Sequence, residues 1–292
     1  MNLHVQSYDN TDDRGPQIFI RQLVPELIKL GWNIVPLKHA DAVLRFTQNI
    51  GEAKWYDGVI ITRCDGLYSP RESNPRQYDL IQHRYIHSDG IIFQSEYCKE
   101  IYANEYGPPN DKALSTVIHN GTSLLPIESL SRGVVCSARW RDTKRPNLIN
   151  NIAKLCPDIT FHIAGEWNST LETNMVAHGK QNWGGIQTIL KKGNVFFHPA
   201  VNDPCPNALV EACASGLIPI VSNSGGCKEL VSDASYVYKE PPDLEEIAGL
   251  IKKAINDNTK TKKEELSIAY AAKEYDAFIR KVIKKGKCRP VA

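Results

Sequence analysis

Asp203 and Glu211 stand with seven residues between them in Asp203-Pro204-Cys205-Pro206-Asn207-Ala208-Leu209-Val210-Glu211, a proline-bearing loop running into a helix-like stretch. Pro206 suits a first helical turn, where its missing N–H is no loss, so the amides of Asn207 and the following residues should point out of the helix end. Such an end binds anions. This spacing puts Asp203 ahead of the helix and Glu211 just over one turn inside it, a carboxylate on either side of a phosphate held there. Each carboxylate offers about four lone-pair sites and no donor, which suits two neighbouring sugar hydroxyls. A polyol carrying a diphosphate would satisfy both acids and the helix end. The alternative is a turn-forming aspartate and a solvated helical glutamate.

A cationic counterpart lies in Ser137-Ala138-Arg139-Trp140-Arg141-Asp142-Thr143-Lys144-Arg145. Arg139 falls at the C-terminal end of an apolar strand and Lys144 opens the next helix, so both should overhang the crevice where α/β sheets bind ligands. Two cations there would neutralise a diphosphate. An ordinary basic surface loop is the other reading, and Arg141 and Arg145 fit it equally well. No Asp-x-Asp pair for metal-dependent sugar transfer occurs. His83 and His87 are four apart, a metal-ligand spacing that a half-exposed helix face also shows, and no metal site is expected.

Positioning these groups requires strands and helices in alternation. Short β-branched apolar runs do alternate with amphipathic stretches of about ten to fifteen residues, the mark of βαβ units and an α/β class. Strands are expected near Leu3–Gln6, Trp32–Pro36, Val43–Phe46, Gly58–Thr62, Ile91–Gln94 and Thr116–Ile118. The spacing of Ile20, Leu23, Leu27 and Leu30 predicts a helix over 17–30, stopped by Gly31. The alternation restarts with strands at Gly133–Ala138, Ile159–Ala164, Asn194–His198, Leu217–Ser222 and Ser235–Tyr238, and helices over 145–155 and 206–215. A further helix is expected after Gly225-Gly226, and a linker over 119–133, where Asn, Gly, Pro and Ser cluster. Beyond Pro241-Pro242 the chain reads as helical and ends in a tail carrying Arg280, Lys281, Lys284, Lys285, Lys287 and Arg289.

The 292 residues suffice for about two domains. Thirty-five Lys and Arg against 33 Asp and Glu leave a formal charge of +2, which argues against a histone-like nucleic-acid binder; no nucleic-acid partner is expected. The eight cysteines include no C-x-x-C pair, and several lie in apolar runs, which suits free thiols in a reducing compartment. With no leader-like start and no apolar run of about 18 residues, the expectation is a soluble cytoplasmic protein.

Taken together, residues 133–164 and 196–231 resemble the C-terminal domain of retaining GT-B glycosyltransferases, specifically glycosyltransferase family 4 (glycosyl transferases group 1). That family carries Glu, seven residues, Glu, a Gly-Pro-like strand start and a Gly-Gly-x-x-Glu turn. Here stand Asp203, seven residues, Glu211, then Ser215-Gly216-Leu217-Ile218-Pro219 and Gly225-Gly226-Cys227-Lys228-Glu229. The family's Gly-Arg and later Lys are matched by Ala138-Arg139 and Lys144, and Asp203 replaces the commoner Glu. In the N-terminal half, Asp13-Arg14-Gly15-Pro16-Gln17 is similar to the family's Gly-rich loop, though a structural helix cap is the alternative. Arg63-Cys64-Asp65-Gly66 and Phe93-Gln94-Ser95 resemble motifs of some members.

The resemblance implies an α/β fold of two Rossmann-like domains facing across a cleft: 1–120 for the acceptor, 121–270 for the nucleotide sugar, and 271–292 returning toward the N-terminal domain. It implies that Arg139 and Lys144 hold the diphosphate, Glu211 the ribose hydroxyls and Asp203 the donor sugar. Pro206, Asn207, Gly15, Gly225 and Gly226 would complete the nucleotide-sugar site, and Arg14, Arg63 and Asp65 would meet acceptor or sugar. The implied reaction is metal-independent hexosyl transfer, with retention, from a UDP- or GDP-linked sugar to a glycan, glycoprotein or lipid-linked acceptor, with no cofactor. Same-face attack is the implied course, in which a leaving phosphate oxygen takes the acceptor proton. An inactive nucleotide-sugar-binding protein and a nucleotide-sugar epimerase are the rival readings. The basic tail is a candidate for peripheral contact with an anionic membrane, against a solvated helix end.

Overall fold

The computed structural model describes residues 1–8, 15–47, 56–66, 74–257 and 264–288. The chain divides into two compact units, Met1–Ser123 with Ile268–Ala292, and Leu124–Ser267.

The first unit is built on a parallel sheet of β1 (Asn2–Val5), β2 (Asn33–Ile34), β3 (Ala42–Phe46), β4 (Val59–Cys64), β5 (Gly90–Phe93) and β6 (Leu114–Val117), in the order β2-β1-β3-β4-β5-β6. Every position of β3, β4 and β5 is buried, because helices cover both faces of the sheet. On one face lies α1 (Gly15–Lys29), whose Phe19, Ile20, Leu23, Val24 and Leu27 fall on one side at helical spacing. Against it packs the chain's last helix, Ile268–Lys285, through Ala272, Tyr275, Phe278, Ile279 and Val282. On the other face α2 (Pro75–Ile86) and α3 (Glu96–Tyr106) bring Tyr78, Tyr85, Tyr102 and Tyr106 together around Phe93.

Gly31 does end the α1 segment, at φ 91°, a left-handed conformation that glycine adopts without a Cβ penalty. The strand expected over 32–36 shrinks to Asn33–Ile34. Trp32 is drawn into the core, its indole donating to Asp276 Oδ1 at 2.7 Å under the Arg280 guanidinium.

The second unit repeats the plan with β7 (Val134–Ser137), β8 (Phe161–Ala164), β9 (Met175–Ala177), β10 (Val195–His198), β11 (Ile218–Ser222) and β12 (Val237–Tyr238). All pair in parallel, in the order β12-β11-β10-β7-β8-β9. α4 (Pro146–Leu155) and α7 (Leu244–Asn256) bury Ile149, Ile152, Ile247 and Ile251 on one face. α5 (Trp183–Leu190) and α6 (Asn207–Ser215) bury Ile186, Ile189, Leu209 and Val210 on the other. The last helix of the chain is thus α8. After Gly225-Gly226 the expected helix is a single 3-10 turn, Cys227–Leu230.

In the second unit the strand order runs outward from β7 in both directions, with β8 on one side and β10 on the other. This reversal is the topological switch point of an open parallel sheet, and ligands bind outside the carboxyl ends of the two strands flanking it. In the first unit the same reversal falls between β1 and β3.

Candidate active site

Arg139 follows β7 and Asp203 follows β10, the two strands at the switch point of the second unit. Lys144, at the end of a 3-10 turn over 142–144, is buried, and its Nζ donates to Asp203 Oδ2. Burial works against the charge of Asp203. Lys144, aided by Arg141, more than offsets it and holds the carboxyl below the usual aspartate range. Arg139 is exposed and makes no ion pair or hydrogen bond among the described residues.

Three loops are stitched together beneath this pair. The Val201 amide donates to Thr143 O at 3.1 Å, tying the loop after β10 to the loop after β7. The Gly226 amide donates to Asp203 O at 2.9 Å. Gly225 is buried at φ 79°, and a Cβ on it would lie 2.7 Å from Asp203 O and 2.8 Å from Asp203 N. The Gly-Gly turn, expected to meet the nucleotide sugar, therefore lies directly against the backbone of Asp203.

α6 begins at Asn207, with Pro206 as its N-cap in extended backbone at ψ 125°, not inside the first turn. The Leu209 and Val210 amides donate to Pro206 O at 3.0 and 3.1 Å, so these two are spent inside the cap and do not face a ligand. Glu211 sits half-buried one turn along α6, with no ion pair or hydrogen bond among the described residues. Burial alone pushes its carboxyl up to about 8.

Residues 127–275 match the glycosyl transferases group 1 family. The chain belongs to the glycosyl transferases group 1 family. The phosphatidylinositol N-acetylglucosaminyltransferase GPI3 subunit of Saccharomyces cerevisiae strain YJM789 is 23% identical over 194 residues, 58% of this chain and 43% of that protein. The chain therefore spans less than half the length of that relative. Among solved structures, sucrose-phosphate synthase from Thermosynechococcus elongatus matches with a TM-score of 0.69 at 12% identity, over 97% of this chain and 96% of that one. HepE from Anabaena, solved in complex with UDP-glucose, matches at 0.64 and 14% identity over 97% of each chain. These likenesses show the fold, which is GT-B.

In this group 1 member, the N-terminal residues singled out from the sequence fare differently. Gly15 opens α1 and is exposed, following β1 at the switch point of the first unit. Asp13 and Arg14 lie outside the described residues. Arg63 and Asp65, expected to meet acceptor or sugar, are 1% and 0% exposed and pair with each other inside the first unit. Arg63 also donates to Asn120 Oδ1 at 2.6 Å and lies 4.6 Å from the centre of the Phe19 ring, while Asp65 accepts from Gln94 Nε2. Burial raises the Asp65 carboxyl, with Arg63 opposing. Their polar atoms are only partly satisfied by these contacts: the Arg63 Nε and Asp65 Oδ2 atoms are buried with no hydrogen bond among the described residues.

His83 and His87 stack at 4.2 Å between centroids, and His87 Nδ1 is paired with His83 O at 2.9 Å. No group of three or more metal-ligating side chains occurs among the described residues. No described helix is long and apolar enough to cross a membrane. All eight cysteines are free, seven of them buried.

Two features of the site escaped sequence reasoning. His198, the last residue of β10, is 3% exposed, and burial, then Lys144, push its imidazole down to about 3, so it is neutral beside the Lys144–Asp203 pair. A titratable residue ending an apolar strand just before Pro199-Ala200 was the available signal. Arg145 is held at φ 51° and donates to both carboxylate oxygens of Glu240, at 2.7 and 3.0 Å. No local pattern connects residues 95 positions apart.

Proposed function

We propose that this chain transfers a hexosyl group from a nucleoside diphosphate sugar to an acceptor hydroxyl, with retention at the anomeric carbon and without a metal ion, as a family 4 enzyme. The observation that carries this reading is the partly buried Lys144–Asp203 pair between the carboxyl ends of β7 and β10. A carboxylate kept ionised by its neighbours suits the hydroxyls of a donor sugar, and a lysine already at the crevice suits the diphosphate beside it. Exposed Arg139 adds a second cation for the leaving group, and Glu211 on α6 faces the ribose. With cations in place of a metal, the enzyme orients donor and acceptor and stabilises the departing diphosphate, whose oxygen takes the acceptor proton.

The likeness to HepE, whose structure contains UDP-glucose, supports a nucleotide sugar as donor, and in this reading that donor is UDP- or GDP-linked. Acceptors in this reading are glycans, glycoproteins or lipid-linked sugars. A cytoplasmic location with peripheral membrane contact goes with it. For that contact Lys281 and Lys284 are the candidates, because Lys285 donates to Lys112 O at 2.5 Å and Lys287 pairs with Asp57 at 2.7 Å.

The test combines calorimetry and transfer. At pH 9, where its carboxyl is ionised, Glu211→Ala should weaken binding of the matching nucleoside diphosphate by ~1.5–3 kcal/mol, the scale of hydrogen bonds to a charged group. Asp203→Asn should leave that affinity nearly intact and lower kcat, because its contact tightens in the transition state. Turnover should survive EDTA. Loss of activity with chelator, restored by magnesium, overturns the metal-free reading; equal loss of nucleotide affinity in both variants overturns the division of roles.

A further inference from the structure

Glu240 lies just past the end of β12, two strands from β10 in the sheet, and both members of the Lys144–Asp203 pair are connected to it. One connection runs through Arg145. Its guanidinium meets the Glu240 carboxylate with two parallel bonds of 2.7 and 3.0 Å, the bidentate geometry that fixes orientation as well as distance. Arg145 is also the N-cap of α4 and the residue after Lys144. Its backbone sits at φ 51°, ψ 57°, a left-handed conformation costly for a side chain bearing a Cβ and held only where its surroundings impose it. The bend is closed by the Arg145 amide donating to Asp142 O at 2.9 Å, and it places the forked side chain on Glu240 while the preceding residue, Lys144, meets Asp203.

The other connection runs through Ser222. Its hydroxyl donates to Glu240 Oε1 at 2.5 Å and accepts from the Ser224 amide at 3.0 Å. The Ser224 hydroxyl in turn accepts from the Asn202 amide at 3.1 Å and donates to Asn202 Oδ1 at 3.0 Å. Asn202, at φ 55°, is itself left-handed and immediately precedes Asp203. Each member of the site pair thus has a left-handed neighbour in the chain, and both neighbours are anchored, directly or through two serines, on one carboxylate.

We propose that Glu240 is a positioning residue that sets Lys144 and Asp203 against each other, through Arg145 on one side and Ser222, Ser224 and Asn202 on the other. The assignment rests on the proposed role of that pair, and its test separates the two ideas. Asp203 is faced by Lys144, His198 and Arg141. If Lys144 is released, burial dominates and the carboxyl holds its proton to higher pH. Carbon-13 NMR of labelled aspartate, with the Asp203 signal assigned by its loss in Asp203→Asn, reads this without any nucleotide. In Glu240→Ala and in Arg145→Ala the Asp203 proton affinity should rise about tenfold or more. Glycine tolerates the left-handed bend without the fork, so Arg145→Gly should shift the Asp203 titration less than Arg145→Ala. Arg145→Lys, which retains the charge but not the two-bond fork, should fall between the parent and Arg145→Ala.

An unmoved Asp203 titration in Arg145→Ala overturns the proposal, whatever happens to thermal stability. Binding of UDP, GDP and ADP to the unmodified protein is read separately. Binding of none of the three counts against the nucleotide-sugar reading, while the titration shift still decides the role of Glu240.

Discussion

Glu211 combines half-burial with a carboxyl pushed up to about 8, and this has two opposite consequences across neutral pH. The folded state holds its proton more tightly than the unfolded chain, whose glutamate titrates near 4.5. The stability contributed by protonated Glu211 is therefore fully present below about 4.5 and is lost as pH rises toward about 8. Glu211→Gln should raise the melting temperature at pH 9 relative to the parent and change it little at pH 4. Ligand binding should run the other way, since an ionised carboxylate accepts from two hydroxyls and a protonated one offers less. Affinity for the nucleoside diphosphate should rise between pH 7 and 9 in the parent and stay flat in Glu211→Gln. A parent affinity independent of pH over that range would remove the ribose contact from Glu211. The placement of Arg139 and Asp203 after strand ends, of Lys144 ahead of α4 and of Glu211 in α6 was legible from local spacing against a strand end or a helix start. Burial of Arg63 and Asp65 was not, because it is decided by Phe19, Gln94 and Asn120, contributed from other stretches of chain.

At the scale of elements, the turn Gly225-Gly226 and helix α7 give a matched pair of glycine replacements. Gly225→Ala places a Cβ within 2.8 Å of two Asp203 backbone atoms, at φ 79°. It should cost about 1–3 kcal/mol or more and lower transfer by displacing Asp203. Gly249, exposed in the interior of α7, has nothing within 4 Å of an added Cβ. Gly249→Ala should stabilise by roughly 0.5–1 kcal/mol through helix propensity, with activity unchanged. Urea melts and a transfer assay on the two variants give the comparison; an active, stable Gly225→Ala protein would show that the turn does not support Asp203. The strands and the helices α1, α4 and α6 could be read from apolar runs and helical periodicity. β9 and α5 could not: β9 is three residues long and mostly exposed, and α5 opens with Trp183-Gly184-Gly185, whose glycines disfavour a helix until Asn182 caps it by accepting the Gly185 amide at 2.9 Å.

For the whole molecule, α8 is the element with the most at stake. Its Tyr275, Phe278, Ile279 and Val282 lie in the same core as Leu3, Phe19 and Leu27. A protein ending at Ser267 would leave the α1 face of the first unit uncovered while removing nothing from Leu124–Ser267. Limited proteolysis of that truncation should degrade 1–123 and spare a fragment near 124–267. Survival of both units, with unchanged near-ultraviolet circular dichroism, would show that α8 is dispensable to the core. The apolar face of α8 was visible as periodicity, but which core it completes depends on contacts such as Trp32 with Asp276, 244 positions apart.

The same discontinuity imposes an order on synthesis. Leu124–Ser267 is one uninterrupted stretch, so it can collapse as soon as it leaves the ribosome. The first unit is translated earlier yet lacks the helix that closes its core until 268–285 has emerged. Until then Phe19 and Trp32 lack Tyr275 and Asp276, their partners on α8, and that face is the part of the first unit left for chaperones to cover. The half of the protein made first is the half completed last.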